Sequence, residues 1–268
     1  MFPRKILMLS ALIILAALPG DTAQAKVLPF SECFPYFEFC KKCTAIELRD
    51  AIGQGFDVNL TDPDGKTALM VAAGNTDYRA VIREMVKAGA DIHARDQYGT
   101  TPLMYAAHTN KAKIADELIK QGARVNDTTD DGWTALMFAV RENYMDSVNV
   151  VNVLLKHKAD ANAKSARGVT ALICAAYMRW TDNDEPIIHA LLKAKADVNA
   201  QDENGMTPLI NAAWHNLNPR VIDALLDAKS DVNHKDNRGF RAIDYARENG
   251  SLRGTDTLAR LEKLSRKK

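Results

Sequence analysis

The sequence has little net charge, no long apolar run beyond its first residues and no recognisable catalytic motif. Its 35 Lys and Arg residues nearly balance its 34 Asp and Glu residues, which gives a formal net charge of +1. Proteins that bind nucleic acid usually carry a basic stripe, so this balance argues against that class. The six histidines lack the H-E-x-x-H spacing of a zinc site, and the chain has neither a phosphate-binding glycine loop nor a nucleophile elbow. We therefore expect no enzyme activity, no catalytic residues, no metal site and no cofactor.

The first 25 residues differ in composition from the rest of the chain. Arg4 and Lys5 precede an apolar run over residues 6–18, and Pro19-Gly20 and the small residues Ala23 and Ala25 follow it. This order is typical of a secretory signal peptide that is cleaved after Ala25. The alternative is a membrane anchor, but the apolar run is shorter than the ~20 residues that span a bilayer. The sequence thus predicts an exported protein, in a periplasm or secreted, with no membrane partner after cleavage.

The rest of the chain contains an internal repeat that is marked by glycine. These glycines are separated by 34, 33, 36, 37 and 34 residues. They are Gly65, Gly99, Gly132, Gly168, Gly205 and Gly239. Each of the first five is followed two positions later by Thr, and the last by Arg241. A period near 33 residues is typical of stacked repeats, which present an extended surface and favour binding over catalysis.

Each repeat reads as a turn followed by two helices. The glycine allows a tight turn, the Thr is a predicted helix N-cap, and Pro102 and Pro208 stand at the first helical position. Paired alanines keep the first helix thin, and apolar pairs spaced by four form one buried stripe on the second. Each repeat then ends in a phrase such as Ala196-Asp197-Val198-Asn199, to which we assign a structural role.

The repeats resemble ankyrin repeats, with D-x-x-G-x-T-P-L-x-x-A-A, a second helix ending in Leu-Leu and a closing G-A-D-V-N. The resemblance covers about residues 40–265 and is closest to exported bacterial ankyrin-repeat proteins. It implies an all-α fold, an ankyrin-repeat solenoid. The corresponding domain plan is a signal peptide (1–25), a Cys-containing segment (26–43), an N-terminal capping half-repeat (44–61), five repeats (62–235), and a C-terminal capping repeat with a basic tail (236–268).

Two departures from the ankyrin pattern concern the first helix. The histidine that usually follows Thr-Pro-Leu is replaced by apolar residues, namely Met70, Met104, Met137, Ile173 and Ile210. The glycine that usually ends this helix is replaced by asparagine, which also adopts left-handed backbone, at Asn110, Asn143 and Asn216.

Three cysteines cluster early in the mature chain. Cys33, Cys40 and Cys43 are disulfide candidates in an oxidising compartment. If this segment is helical, Cys33 and Cys40 lie too far apart to bridge without a bend, whereas Cys40 and Cys43 are closer and Cys33 reaches Cys43 if the segment folds back. A redox C-x-x-C at Cys40 and Cys43 is the alternative. Cys174 is predicted to be a small buried hydrophobe.

The resemblance also implies where a partner binds, because ankyrin proteins usually contact partners through a concave face of turn tips and first helices. Aromatic residues and arginines, the types that dominate binding hot spots, occupy many of these positions. The predicted partner-binding residues are Tyr98, His108, Trp133, Arg141, Arg167, Tyr177, Trp214, His215, Arg238 and Phe240. The alternative is that some of these rings only pack between repeats.

The sequence therefore predicts a monomeric, non-catalytic exported protein that binds another protein through its concave face. Two alternatives remain at this point. One is a secreted effector or inhibitor that uses the same face, and the other is a redox or metal protein based on the N-terminal cysteines.

Overall fold

The computed structural model describes residue 36 and residues 38–141, 147–177 and 184–266. The predicted signal peptide, Cys33, Asn143 and Trp180 lie outside the described residues. The described part is helical, with one short 3-10 helix at Gly250–Leu252 and one isolated bridge between Thr61 and Thr67. The prediction of an all-α fold is confirmed.

The chain divides into two compact units, with the boundary between Thr129 and Asp130. The helices of the first unit are α1 (Ala45–Gly53), α2 (Ala68–Asn75), α3 (Arg79–Lys87), α4 (Pro102–His108) and α5 (Ala112–Lys120). Those of the second unit are α6 (Ala135–Arg141), α7 (Ser147–Lys156), α8 (Ala171–Tyr177), α9 (Asp184–Lys193), α10 (Pro208–His215), α11 (Pro219–Asp227), α12 (Ala242–Glu248) and α13 (Asp256–Ser265).

The first helix of each repeat begins where the sequence predicts, at the N-cap threonine. The Thr207 hydroxyl accepts the backbone N–H of Ile210 at 3.3 Å, and Pro208 follows at the first helical position. In the first unit the Met70 thioether replaces the usual histidine and accepts the Thr67 N–H at 3.4 Å. Because sulfur is a weak acceptor and the side chain is fully buried, this residue contributes packing as well as capping.

Alanine pairs allow neighbouring first helices to pack closely. Ala72 and Ala106 are fully buried where α2 packs against α4, and Ala212 is fully buried in α10, which packs against α8 and α12. The second helices bury one stripe, as Val81, Ile82 and Met85 do in α3. Together these two layers form the apolar core of each unit.

The closing phrases that contain Asn59 and Asn162 have the structural role that the sequence predicts. Asn162 donates its amide to the Lys195 carbonyl at 3.0 Å and accepts the Asp197 N–H at 2.7 Å in the following repeat. Asn59 makes the same pair of bonds to Gly89 and Asp91, both at 3.0 Å. These asparagines therefore set the register between successive repeats.

The prediction of left-handed asparagines is right at one position and wrong at another. Asn110 has φ of 58°, but Asn216 has φ of −75° and ψ of 138°, which is extended backbone. Asn216 is fully buried, and its amide donates to the Ala176 carbonyl at 3.3 Å. The asparagine is needed there for a hydrogen bond between repeats, and its backbone stays in the ordinary region.

Both ends of the described chain carry caps. Thr44 and Glu47 form the predicted capping box at the start of α1. At the other end α13 buries Leu261 completely, and Arg260 pairs with Asp223 at 3.0 Å and with Asp227 at 2.5 Å on α11. The terminal helices thus cover the apolar faces of the last repeats.

Candidate functional site

Two turns of the second unit are built around a carboxylate. The Asp202 Oδ1 atom accepts the N–H groups of Asn204 at 2.8 Å and Met206 at 2.9 Å. Asp236 does the same for Arg238 and Phe240, both at 2.9 Å. This bonding fixes the turn, so the residues beside each glycine are held in a defined position next to the first helices.

Four rings stand in a row on the first helices of the second unit. The ring centroids of Tyr177 and His215 are 4.5 Å apart, those of His215 and Trp214 are 4.3 Å apart, and those of Trp214 and Tyr245 are 4.9 Å apart. We call this row the aromatic ledge. Tyr177 is 49% exposed and Trp214 is 41% exposed. Both rings therefore pack against neighbouring rings and still present a surface to solvent.

Arg238 lies on one end of the aromatic ledge. Its guanidinium carbon is 4.9 Å from the centroid of the Trp214 ring and 5.5 Å from that of Tyr245, which are cation–π distances. The guanidinium also donates to the Tyr245 hydroxyl, and its Nε lies 3.6 Å from Asp236 Oδ2. Phe240, 48% exposed, extends the surface by an edge contact with Tyr245.

Asp236 and Tyr245 are coupled through a hydrogen bond that the Tyr245 hydroxyl donates to Asp236 Oδ2. Desolvation opposes ionisation of Asp236, but the bonds from Tyr245 and from two backbone N–H groups outweigh it, so the pKa of the carboxyl is lowered. Desolvation and the adjacent carboxylate raise the pKa of Tyr245. At neutral pH the pair is thus a carboxylate that accepts from a neutral phenol.

A second aromatic group belongs to the repeat at the beginning of this unit. The Trp133 ring packs against Phe138 with centroids 5.7 Å apart, and the Arg141 guanidinium lies 5.3 Å from the centroid of Trp133. Trp133 is half-buried and Arg141 is exposed. This group repeats the combination found at the aromatic ledge, where Arg238 stacks on Trp214: an arginine on a tryptophan.

Between the two aromatic groups lies a cavity of about 670 Å³, which we call the notch. Its walls include Trp133, Tyr177 and Trp214, and its lining also includes Cys174 and Asn211. The position four residues after the helix N-cap explains the opening. It holds large rings in the flanking repeats (Phe138 and Tyr245) and the smaller Cys174 and Asn211 in the two repeats between them.

Most of the predicted partner-binding residues of the second unit are brought together. Five of them line the notch, namely Trp133, Arg141, Tyr177, Trp214 and His215. Arg238 and Phe240 extend the aromatic ledge. Arg167 does not line the notch, because it lies at a turn tip with its Nε 3.8 Å from Glu203. Tyr98 and His108 belong to the first unit, where Tyr98 is 65% exposed and His108 is half-buried.

Sequence reasoning missed Tyr245, Asp202 and Asn211 as residues of this surface. Tyr245 carried a signal in the sequence, because a tyrosine nine residues after the turn aspartate also occurs at Tyr105, whose hydroxyl donates to Asp96 at 2.8 Å. The other two residues carry no such signal. Their part in the notch depends on small side chains in two consecutive repeats.

Two of the three disulfide candidates lie within the described residues. Cys40 and Cys43 are both buried free thiols, so this candidate pair is not bridged, and the third candidate, Cys33, lies outside the described residues. Burial raises the pKa of Cys43 to about 11 and raises that of Cys40 as well. These thiols stay protonated at neutral pH, which disfavours the nucleophilic thiolate that a redox C-x-x-C needs. Both side chains are buried, and in the same segment of the chain the Tyr36 ring packs against Phe56.

Cys174 is buried and free, as the sequence predicts. Burial raises its pKa to about 12, although Arg141 acts in the opposite direction.

Within the described residues no three His, Cys, Asp or Glu side chains are grouped to hold a metal ion. Among the same residues no helix has both the length and the apolar character needed to cross a membrane.

Comparison with known proteins identifies the class. A family profile described as Ankyrin repeats (3 copies) matches residues 41–129, 110–202 and 172–265. The chain therefore belongs to the ankyrin-repeat family, and its fold is an ankyrin-repeat solenoid. Proteins of this class generally mediate protein–protein binding and are typically non-catalytic.

A solved structure agrees with this assignment. The crystal structure of the human ASB11 ankyrin repeat domain superimposes with a TM-score of 0.72 at 21% sequence identity, and the match covers 86% of this chain and 97% of that domain. At this identity the similarity concerns the fold alone. No curated protein matches the sequence.

Proposed function

We propose that this protein is an exported, non-catalytic ankyrin-repeat protein that binds another protein through the turns and first helices of its second unit. The observation that carries the proposal is the aromatic ledge with the adjacent notch. Large aromatic side chains that stay exposed, next to a concavity, are typical of protein interaction sites. Export is proposed from the N-terminal sequence alone, whose charged, apolar and small-residue regions follow the order of a signal peptide.

The site offers anchoring without requiring rearrangement. Tyr177, Trp214 and Phe240 are each 41–49% exposed, and their neighbours already hold them by ring contacts. Arg238 is likewise held by stacking and by its bond to Tyr245. Because these side chains lose little conformational freedom on binding, a partner gains more of the contact energy.

Site-specific photo-crosslinking in cells tests the proposed surface. A photo-reactive residue at Asn204, which lines the notch, should give one discrete adduct, whereas the same residue at exposed Lys156 on α7 should give none. Combining the Asn204 probe with Trp214→Ala should abolish the adduct. An adduct of equal yield from both positions would contradict the proposal.

The partner that is captured allows the surface to be measured. The variant with Trp133→Ala, Tyr177→Ala and Trp214→Ala should bind that partner at least about tenfold more weakly, because truncating a hot spot costs more than about 1 kcal/mol per residue. Tyr78→Ala is the matched control, since Tyr78 is 60% exposed but lies in the first unit, outside the predicted site. Thermal unfolding and circular dichroism check that the fold is retained. Unchanged affinity in the triple variant would exclude this surface.

Fractionation tests the export part of the proposal separately. Protein recovered from the periplasm should begin at Lys26, which N-terminal sequencing would show. Recovery mainly from the culture medium would favour a secreted effector or inhibitor. A cytoplasmic protein that retains Met1 would exclude export and leave the binding proposal unaffected.

A further inference from the structure

Neighbouring repeats of the second unit share the same carboxylate-centred turn but differ in what the second carboxylate oxygen binds. Asp236 Oδ2 accepts from the Tyr245 hydroxyl and lies 3.6 Å from Arg238 Nε. The same guanidinium stacks on Trp214, which stands on the first helix of the preceding repeat. This arrangement is a complete guanidinium site, composed of a ring, a carboxylate and an arginine from the same chain.

One repeat earlier the same site is present without its guanidinium. Asp202 holds its turn through Oδ1 as Asp236 does, but within the described residues no hydrogen bond or ion pair reaches its Oδ2. The position of Arg238 is taken by Asn204, and the position of Tyr245 by Asn211, whose amide donates to the Thr207 carbonyl at 3.1 Å. The ring position is kept by Tyr177.

The notch is lined by the four residues of this incomplete site, namely Tyr177, Asp202, Asn204 and Asn211. Tyr177 contacts His215 through one side and is 49% exposed, so ring surface remains accessible. The notch therefore offers an exposed phenol ring and a carboxylate oxygen at the repeat positions that correspond to Trp214 and Asp236, which flank Arg238. The neighbouring repeat shows which group fits between them.

We propose that the notch binds an arginine side chain of the partner protein, stacked on Tyr177 and hydrogen-bonded to Asp202 Oδ2. This inference rests on the proposed partner-binding function and names the chemistry of the segment that the partner presents. Arginine fits better than lysine because its planar guanidinium stacks on a ring and donates to a carboxylate at the same time.

The chain's own cations near the notch are engaged elsewhere. Arg167 lies beside Glu203 at the turn tip, and Arg238 occupies the following site. Arg141 also lines the notch, but it stacks on Trp133. His215 lines the notch as part of the aromatic ledge.

The other turn aspartates do not offer the same site. Asp96 Oδ2 accepts from the Tyr105 hydroxyl at 2.8 Å, and the position that matches Tyr177 in the preceding helix is Gly74. For Asp62 the matching position in α1 is Ala51, so no ring is available. The vacant combination of ring and carboxylate therefore occurs, in the described repeats, at Tyr177 and Asp202.

Nuclear magnetic resonance titration of the purified full chain tests the proposal with a defined probe. Acetyl-arginine-amide should shift the Trp214 indole and Tyr177 ring signals in a saturable way, with a dissociation constant in the millimolar range expected for one side chain. Acetyl-citrulline-amide, the neutral analogue of the same shape, should bind at least about tenfold more weakly because the charge-assisted bond is lost. Equal binding of both probes, or no saturable shift with either, would overturn the proposal.

Two variants test whether the arginine probe binds at the notch. Asp202→Asn keeps the Oδ1 acceptor for the turn and removes the charge, and should weaken arginine binding about tenfold. Asn204→Arg supplies the guanidinium from the chain itself, as Arg238 does, and should block the probe while retaining the fold. Asp197→Asn is the matched control, because it removes an equal charge from a turn of the preceding closing phrase. Probe binding that survives in Asp202→Asn and Asn204→Arg would overturn the assignment.

The result is separable from the test of the proposed function. If the Asn204 photo-adduct forms and the titration shows no arginine binding, the surface binds a partner by other chemistry and only this inference fails. If the arginine probe binds but no adduct forms in cells, the notch recognises a guanidinium and the proposed cellular role fails.

Discussion

At the scale of single residues, several donors surround the buried charge of Glu117. Glu117 on α5 has a side chain that is 3% exposed, and Arg83 contacts it through two bonds of 2.8 and 2.9 Å. Gln121 adds a third donor at 2.9 Å. The hydrogen bonds from Arg83 and Gln121 outweigh desolvation, so the pKa of Glu117 is lowered.

The lowered pKa of Glu117 predicts a pH dependence of stability. A carboxyl whose pKa falls on folding stabilises the protein above its unfolded pKa of about 4.3, and this contribution is lost as the pH falls through the folded pKa. Glu117→Gln should therefore be less stable than the parent protein at pH 7 and closer to it in acid. Urea unfolding of the variant and the parent protein at pH 7 and in acid measures this difference in stability.

The control for Glu117 is an exposed ion pair in the same unit. Asp77 lies 2.7 Å from Lys111 and its side chain is 77% exposed. Asp77→Asn should change the free energy of unfolding by less than about 0.5 kcal/mol at each pH. If Glu117→Gln and its parent lose stability in parallel on acidification, Glu117 does not contribute as described.

At the scale of elements, the repeated glycine is required for two separable reasons. Gly205 has φ of +71°, and a Cβ there would lie 2.7 Å from Asn237 Oδ1 and 3.1 Å from the Asn237 backbone nitrogen. Gly239 has φ of +86° but nothing within 4 Å of the same position. Both glycines supply left-handed backbone, while only the first also allows the next turn to approach closely.

This contrast predicts different costs for the same substitution. Gly239→Ala should destabilise the second unit by about 1 kcal/mol, the cost of left-handed backbone for an alanine. Gly205→Ala should cost more, by at least about 1 kcal/mol, because the turn of Asn237 must also shift. Thermal and urea unfolding of both variants measure this, and equal costs would show that the close approach does not matter.

The sequence indicated these elements well because each depends on local chemistry. Thr207, Pro208 and the alanine pairs act within one helix, so a single repeat reveals them. Asn216 was misread because its role depends on the Ala176 carbonyl, 40 residues away in the chain. Residues that bond between repeats have no local pattern that distinguishes them from residues that end a helix.

At the scale of the whole molecule, stability in a repeat protein is approximately a sum of repeats and their interfaces, and terminal repeats depend on caps. α13 is such a cap, with Leu261 fully buried and α13 packed on α11 and α12. The chain forms two compact units, and α13 belongs to the second. Loss of this cap should thus act locally.

Leu261→Ala tests that locality. The variant should lose about 2–5 kcal/mol, as for other leucines truncated in a core, and hydrogen exchange should increase in α11 and α12. Amides before Thr129 should keep their protection. Arg266→Ala, at a side chain 78% exposed, is the control and should change neither. Equal loss of protection in both units would show that the chain unfolds as one block.

The sequence by itself determined the repeat, the helices, their caps and the residue types of the proposed binding surface, because each follows from spacing and side-chain chemistry within about 35 residues. It also indicated Trp133, Tyr177 and Trp214 as members of one surface. Only the tertiary structure decided that Tyr245 joins the aromatic ledge, that Cys40 and Cys43 stay unbonded, and that Cys174 and Asn211 open a notch beside Asp202. These features depend on which side chains of successive repeats face the same space, and that is set by how the repeats pack.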